Sequence, residues 1–335
     1  MIKNSTKMMM MVTLILSTIM VLSSENWFSM WMGLEINMMS FIPMLEKDKN
    51  FLSSESKMIY FIIQSMASML FMFTLTMNPS MIMKENIVSD LPIIMITLAM
   101  ITKMGMAPMH LWFINIISKI SWMNCMMIMT WQKIAPLFVL SNMNGNSKIM
   151  MILSLISAMV GAIGGINQVS IKKMLAYSSI NHLGWMTICL DKDNEMWMKY
   201  LIIYSIMIIM LTLSMQMNSI NFINQMNINM KSKMEKTNFL IMMLSLGGLP
   251  PFIGFLPKWL VIQSLMQTNS MLTLFIILMS SMITLFYYLR MITPIIMMNN
   301  ITNKWNMNKY SMKNKNMIMF IINMMLPITL IINMM

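Results

Sequence analysis

Long runs of apolar residues recur along the chain and are separated by short polar segments. Each run has about the 20 residues that a helix needs to cross the roughly 30 Å hydrocarbon core of a bilayer. The pattern predicts eleven transmembrane helices, near 8–24, 27–45, 58–77, 91–120, 122–141, 148–166, 171–190, 197–217, 238–266, 271–297 and 317–334. We therefore expect an all-α polytopic membrane protein with one integral domain over residues 1–335.

The composition agrees with a membrane protein and excludes several other classes. Residues are 58% hydrophobic and 10% charged, whereas roughly a quarter are charged in soluble domains. The net charge of +12 is spread over short loops, so we expect no nucleic-acid partner. Two cysteines, Cys125 and Cys189, lie in apolar runs and offer neither a disulfide framework nor a metal or iron–sulfur ligand set. We expect any redox cofactor to belong to a partner.

Methionine is unusually abundant, with 59 of 335 residues. Ile, Asn and Lys are also frequent, whereas Arg290 is the single arginine. This bias favours an AU-rich genome in which AUA also encodes Met, as in animal mitochondria. A core packed with flexible thioethers is the alternative. The N-terminal run resembles a signal peptide but lacks a small-residue cleavage site, and no Arg-rich transit peptide precedes it. We therefore expect a first transmembrane helix and synthesis inside the organelle.

The distribution of basic residues predicts the orientation, because Lys and Arg favour loops on the side from which a chain is inserted. Three lysines lie within the membrane rather than near the end of a predicted helix that meets a loop (Lys103, Lys133 and Lys258). With the N-terminus inside, the outer loops hold Lys84, Lys148, Lys192 and Lys199. All other basic residues fall in inner loops, which supports both the helix count and the orientation.

Two predicted helices, the fourth and the ninth, contain glycine- and proline-rich breaks at Gly105–Pro108 and Gly247–Pro257. The breaks are five helices apart, so the two helices run in opposite directions. This is typical of inverted repeats in secondary transporters. We predict repeats over about 8–141 and 148–297, with an added C-terminal helix at about 317–334. Two kinks placed by coincidence are the alternative.

Buried charges accompany these breaks. Glu35 lies about 12 Å into the second helix at 1.5 Å per residue, and Lys103 and Lys133 lie near mid-depth. A charge at mid-bilayer costs about 2.5–3.5 kcal/mol, so such residues usually face a polar cavity or a partner. Lys258 lies closer to its helix end, and a snorkelling lysine is the alternative there. Neighbouring amines and carboxylates titrate together, so this set is suited to relaying protons through internal water.

Two histidines are candidate relays. On an unbroken helix His110 would share a face with Lys103, about 10 Å away, although a structural histidine at the break is the alternative. His182 lies in a polar patch of the seventh helix and serves equally well as a relay or as a contact between helices. The glycines at 161, 164 and 165 predict close helix packing rather than a phosphate loop.

Five motifs together resemble one known family. They are Trp31-Met-Gly-Leu-Glu35-Ile-Asn37, Lys103-Met-Gly-Met-Ala-Pro-Met-His110-Leu-Trp112, Thr130-Trp-Gln-Lys133-Ile-Ala-Pro136, Ser179-Ile-Asn-His182-Leu-Gly184 and Gly247-Gly-Leu-Pro-Pro-Phe-Ile-Gly-Phe-Leu-Pro-Lys258-Trp259. Nearly end to end, the chain is similar to the NADH dehydrogenase subunit 2 family of mitochondrial respiratory complex I, in its arthropod, insect form. Met109 departs from the phenylalanine expected before His110.

The resemblance implies an antiporter-like fold, with eleven helices because the animal subunit lacks the first three of its bacterial relatives. It also implies that Glu35 faces the neighbouring subunit, that Lys103 and Lys258 are the broken-helix lysines, and that Lys133 bridges them. The implied function is proton translocation in the mitochondrial inner membrane, with the N-terminus in the matrix and the C-terminus toward the intermembrane space. No cofactor or metal is expected in this chain. NADH, FMN, iron–sulfur clusters and ubiquinone would belong to partner subunits. A stand-alone cation/proton antiporter and a purely structural member of the membrane arm are the rival hypotheses.

Overall fold

The computed structural model describes residues 2–45, 51–77, 90–143, 147–190, 195–226, 233–268, 270–297, 320, 321 and 323. Within these residues the regular elements are helical, and β-pairing is limited to one isolated bridge between Ser170 and Phe222. The α-helices are α1 (Ile2–Ser23), α2 (Trp27–Met44), α3 (Phe51–Met77), α4 (Asp90–Met104), α5 (Leu111–Lys119), α6 (Trp122–Met129), α7 (Ile134–Ser141), α8 (Ser147–Gly165), α9 (Ile171–Leu190), α10 (Met196–Met217), α11 (Lys233–Gly247), α12 (Phe255–Gln267) and α13 (Met271–Met297). The all-α prediction is confirmed.

Helix positions agree with the hydropathy pattern, but three helices begin earlier than predicted. Helix α1 begins at Ile2 rather than near residue 8, α3 at Phe51 rather than near residue 58, and α11 at Lys233 rather than near residue 238. Hydropathy detects only the apolar part of a helix, whereas hydrogen bonding continues into the polar flanks. Of the predicted helix near 317–334, residues 320, 321 and 323 are helical, and the rest lies outside the described residues.

Three of the predicted membrane crossings are divided. The fourth forms α4 and α5, and the ninth forms α11 and α12, as the glycine–proline breaks predict. The fifth was predicted to be continuous, and this was wrong: a 3₁₀ turn, Trp131–Lys133, separates α6 from α7. Pro136 explains the interruption, because it has no N–H to bond the carbonyl of Gln132 and its ring crowds that carbonyl.

Four described segments are long and apolar enough to cross a membrane as unbroken helices. They are Ser5–Ser23, Phe51–Met77, Met196–Met217 and Met271–Met297. Pro92–Met104 and Ile149–Gly165 are shorter apolar helices. Broken crossings leave backbone groups that the surrounding protein or water must satisfy, so the breaks are the positions to search for a site.

The chain divides into two compact units, Met1–Ser157 and Ala158–Met335, with the boundary inside α8. In the first unit α1 packs on α2, α2 on α3, and α3 on both α4 and α5, while α7 contacts α1, α2 and α4. The α1–α2 contact is close, because a Cβ added at Gly33 would lie 2.5 Å from Val21 Cγ2. These helices surround the first break.

In the second unit α9 and α10 form the centre of the packing. Helix α10 contacts α9, α11 and α12, and α13 contacts α9, α11 and α12. Small residues let these helices approach closely: a Cβ added at Gly161 would lie 2.6 Å from the backbone nitrogen of Asn181, and one at Gly164 would lie 2.2 Å from the Tyr177 ring. The prediction that these glycines serve helix packing is confirmed.

Candidate functional site

The first break has a defined end at Gly105. Helix α4 ends at Met104, and the N–H groups of Gly105 and Met106 donate to the carbonyl of Ile101 at 3.0 and 3.1 Å. Gly105 has φ 72°, a left-handed conformation that favours glycine. A Cβ there would also lie 2.8 Å from Phe113 Cβ. The glycine therefore both ends the helix and lets α5 fold back against it.

A glutamine from α3 satisfies the backbone at this break. The Gln64 side-chain amide donates to the carbonyl oxygen of Lys103 at 3.0 Å, and Gln64 is buried. Because the last carbonyls of a helix lack helical partners, a buried helix end needs such a donor. Sequence reasoning missed Gln64. The available signal was the single amide side chain of α3.

Lys103 and Lys133 line one cavity inside the first unit. Both side chains are buried, at 7% and 1% exposure. The cavity volume open to the centre of a water molecule is about 20 Å³. By this measure about 10–15 Å³ is enough for one water molecule. Its polar lining also includes Asn37, Gln64 and Gln132. The two predicted lysines are therefore brought together around a space that accommodates water.

The environment of Lys133 follows from the 3₁₀ turn. Its amine lies 5.8 Å from the centre of the Phe113 ring, a cation–π contact. The neighbouring Gln132 donates from Nε2 to Oδ1 of Asn37 at 3.0 Å, which ties the turn to α2. A regular helix would point the side chains of Gln132 and Lys133 in other directions. The interruption at Pro136 therefore helps to direct these two side chains toward the cavity.

Glu35 lies on α2, half-buried, and is the carboxylate predicted to tune Lys103. Among the described residues no ion pair within 4.0 Å joins the two. None of the described residues that line the cavity is acidic. Glu35 therefore makes no direct ion pair with Lys103, and its tuning of the lysine stays a prediction.

His110 lies at the start of α5, half-buried, with Nδ1 3.1 Å from the carbonyl oxygen of Pro108. The helix is broken between Lys103 and His110, so their seven-residue spacing does not place them on one helical face. His110 is not among the residues that line the cavity. The geometry puts His110 at the break, as the structural hypothesis expected, and its relay role stays a prediction.

At the second break the side chain of Lys258, a residue of α12, contacts the C-terminal end of α11. Helix α11 ends at Gly247, Gly248 has φ 80°, and the buried amine of Lys258 donates to the carbonyl oxygen of Gly247 at 2.8 Å. The amine also lies 5.9 Å from the Trp185 ring centre. The snorkelling alternative does not hold, since the side chain turns inward to the end of α11.

His182 lies in the second unit, buried on α9. Its Nδ1 is 2.9 Å from the hydroxyl of Tyr200, and its ring lies 4.9 Å from that of Tyr204. A hydroxyl can donate to or accept from the ring nitrogen, depending on the tautomer. The imidazole thus joins α9 to α10 through a polar contact in an aromatic setting, which suits a relay and a helix contact alike.

Comparisons with known proteins agree with this architecture. Residues 24–284 match the family model "NADH:quinone oxidoreductase/Mrp antiporter, TM". The chain is 41% identical over 310 residues to NADH-ubiquinone oxidoreductase chain 2 of Anopheles gambiae, covering 91% of this chain and 90% of the relative. It is 39% identical over 307 residues to the same protein of Locusta migratoria, covering 91% and 90%.

Solved structures show the same fold at lower identity. A chain of respiratory complex I from Thermus thermophilus has a TM-score of 0.81 and 19% identity, covering 95% of this chain and 76% of that one. A chain of the Mrp complex from Dietzia sp. has a TM-score of 0.76 and 13% identity, covering 85% of this chain and 59% of that one. The fold is thus the antiporter-like one that the resemblance implied, and the chain belongs to the NADH-ubiquinone oxidoreductase chain 2 family.

Proposed function

We propose that this chain is the antiporter-like, proton-translocating membrane subunit of NADH:ubiquinone oxidoreductase, and that protons pass along Lys103, Lys133 and Lys258 through internal water. The observation that carries the proposal is the cavity of the first unit. Two buried lysines and three amide side chains line this cavity, and it has room for water. Such polar space is costly within a membrane protein and usually marks an ion pathway.

The two lysines of the cavity are suited to pass a proton between them. Two ammonium groups that face the same small space repel each other strongly, because the surroundings have a low dielectric constant. A proton that arrives at Lys133 therefore favours release from Lys103, and the reverse also holds. Amide side chains and water stabilise either arrangement without fixing it. Alternate loading of the two amines moves charge along the cavity.

Glu35 sets the bias of this exchange. Its negative charge favours a proton on Lys103, and a change in the charge near Glu35 weakens that preference. In the proposed subunit, redox chemistry elsewhere in the complex supplies this change. His110 and His182 extend the relay as candidate carriers. The chain itself needs no redox centre or metal. NADH, FMN, iron–sulfur clusters and ubiquinone are held by partner subunits.

The proposed location is the mitochondrial inner membrane. The N-terminus lies in the matrix and the C-terminus toward the intermembrane space, in keeping with the bias of basic loops. Other membrane-arm subunits are the proposed partners. The structural relatives support this, because they are chains of multi-subunit respiratory or antiporter complexes.

A stand-alone cation/proton antiporter is the second candidate, because the matched family model also covers Mrp antiporters. Reconstitution of the purified chain in vesicles separates the two functions. Cation-dependent proton exchange without partners would support the antiporter. The proposed function predicts none. A third candidate, a purely structural subunit, predicts no loss of pumping on replacement of the lysines.

The main test replaces Lys103 with Met in the assembled complex. We expect the number of protons moved per NADH oxidised to fall, because the carrier amine is lost while the side chain keeps a similar length. Lys199→Met is the control, since Lys199 is exposed and pairs with Glu195 four residues earlier. An unchanged proton-to-NADH ratio in assembled Lys103→Met complex would refute the role of Lys103.

A further inference from the structure

Asn323, in the C-terminal segment, contacts both the helix end and the loop of the second break. Its carbonyl oxygen accepts a hydrogen bond from the N–H of Ile253 at 3.3 Å, in the loop of the break. Its side-chain Oδ1 lies 3.4 Å from the hydroxyl of Ser245, in the last turn of α11. Asn323 is 1% exposed. One buried residue from a distant part of the sequence thus bridges the helix end and the loop.

The segment that Asn323 contacts is tightly folded. A Cβ added at Gly254 would lie 1.8 Å from the carbonyl oxygen of Ser245, so the loop lies directly on the last turn of α11. Two residues after Ser245, the Gly247 carbonyl accepts from Lys258 at 2.8 Å. Small shifts of Ser245 relative to Ile253 would therefore change the distance between the lysine amine and the carbonyl that holds it.

The chemistry of the amide suits this position. The Ser245 hydroxyl has one proton and donates it to the carbonyl of Met242 at 2.8 Å. Oδ1 of Asn323, at 3.4 Å, is a second and more distant acceptor for the same hydroxyl. An apolar side chain at residue 323 would leave this contact unmade in a buried place.

We propose that Asn323 is a positioning residue for Lys258: the C-terminal segment fixes the geometry of the second break so that the lysine amine reaches the carbonyl of Gly247. This inference rests on the proposed function, in which Lys258 carries protons. It gives Asn323 a role in the second unit. The side chain of Asn323 acts through Ser245, and its backbone acts through Ile253.

The test uses Asn323→Leu and Ser245→Ala in the assembled complex, each alone and together. We expect each variant to lower the proton-to-NADH ratio and to raise amide hydrogen exchange at residues 245–258 by roughly two- to tenfold, the factor expected for one lost hydrogen bond. The double variant should be no worse than the stronger single one, because both remove the same contact.

Two controls separate positioning from general loosening. Ser280→Ala removes another buried serine of the second unit, one that bonds to Ile277 and is not part of the break. Ile321→Ala changes an exposed residue of the C-terminal segment. Both should leave the ratio and the exchange at residues 245–258 unchanged. Equal effects in these controls would overturn the inference.

Lys258→Met distinguishes this inference from the proposed function. If Lys258→Met lowers the ratio and the Asn323 and Ser245 variants do not, the positioning role is refuted and the proposed function stands. If Lys258→Met has no effect, translocation through Lys258 fails, and the exchange experiment decides alone. Unchanged exchange at residues 245–258 in Asn323→Leu would then overturn the structural role as well.

Discussion

The side-chain amide of Gln64 donates a hydrogen bond to the main-chain carbonyl of Lys103 at 3.0 Å. This contact joins α3 to the end of α4 at the first break. At the second break a lysine takes the place of the glutamine: the amine of Lys258 donates a hydrogen bond to the main-chain carbonyl of Gly247. The two breaks are thus closed differently: a neutral amide leaves the Lys103 amine available to the cavity, whereas Lys258 is itself the donor.

Gln64→Leu should destabilise the first break. The buried carbonyl of Lys103 would lose its donor, and an unsatisfied buried group costs about 1–3 kcal/mol. We expect a lower thermal unfolding temperature of the assembled complex and a lower proton-to-NADH ratio. Gln216→Leu is the matched control, since Gln216 is exposed on α10. Wild-type stability and pumping in Gln64→Leu would show that the carbonyl finds another partner.

Lys103→Met and Lys133→Met should be non-additive. Each removes one of two amines that exchange a proton across the same cavity, so the second replacement has little left to remove. The measurement is the proton-to-NADH ratio of both single variants and of the double variant in the assembled complex. If the two losses add fully, the lysines belong to separate paths rather than to one.

Gly248→Ala should impair the second break, whereas Gly247→Ala should be tolerated. A Cβ at Gly248 would lie 2.8 Å from the Lys258 amine, and Gly248 has φ 80°. A left-handed alanine alone costs about 1–2 kcal/mol. At Gly247 the nearest atom would lie 3.7 Å away. The measurement is the proton-to-NADH ratio together with the yield of assembled complex.

Gly248→Asn tests which of these two effects dominates. Asparagine tolerates the left-handed conformation but still carries a Cβ. We expect Gly248→Asn to assemble better than Gly248→Ala while pumping remains impaired, because the Lys258 amine is still displaced. Normal pumping in Gly248→Asn would show that only the backbone conformation matters at this position.

Tyr200→Phe should destabilise the second unit by about 1–3 kcal/mol, because the buried nitrogen of His182 loses its hydroxyl partner. Adding His182→Leu should restore part of the lost stability, since removing both polar partners is less costly than removing one. Thermal unfolding of the assembled complex measures both effects. Fully additive losses would contradict a direct dependence of His182 on Tyr200.

Much of the fold was predictable because membrane helices follow hydropathy closely. Lys103 and Lys258 were recognisable as buried charges beside breaks in apolar runs. At these breaks Gly105 and Gly248 adopt the left-handed conformation that favours glycine. The interruption at Trp131–Lys133 was missed, although Pro136 four residues after Gln132 was a readable signal. The continuous apolar run over residues 122–141 led to the prediction of one unbroken helix despite this proline.

The supporting contacts were not predictable, because they depend on tertiary structure. Gln64 lies 39 residues from Lys103, and Asn323 lies 78 residues from Ser245. Sequence pattern identifies an amide in an apolar run but not the backbone group that it meets. The roles of Glu35, the three lysines and the two histidines in moving protons remain predictions for the experiments above.

The amine of Lys258 is both the proposed proton carrier and the cap of α11. If transport swings this amine away, the peptide oxygen of Gly247 is left bare inside the membrane, and a solvent molecule must take the vacated place. The number of water molecules near Gly247 would then depend on the position of the Lys258 side chain alone. Such a coupling would let the protein open and close a conducting route without moving a whole helix.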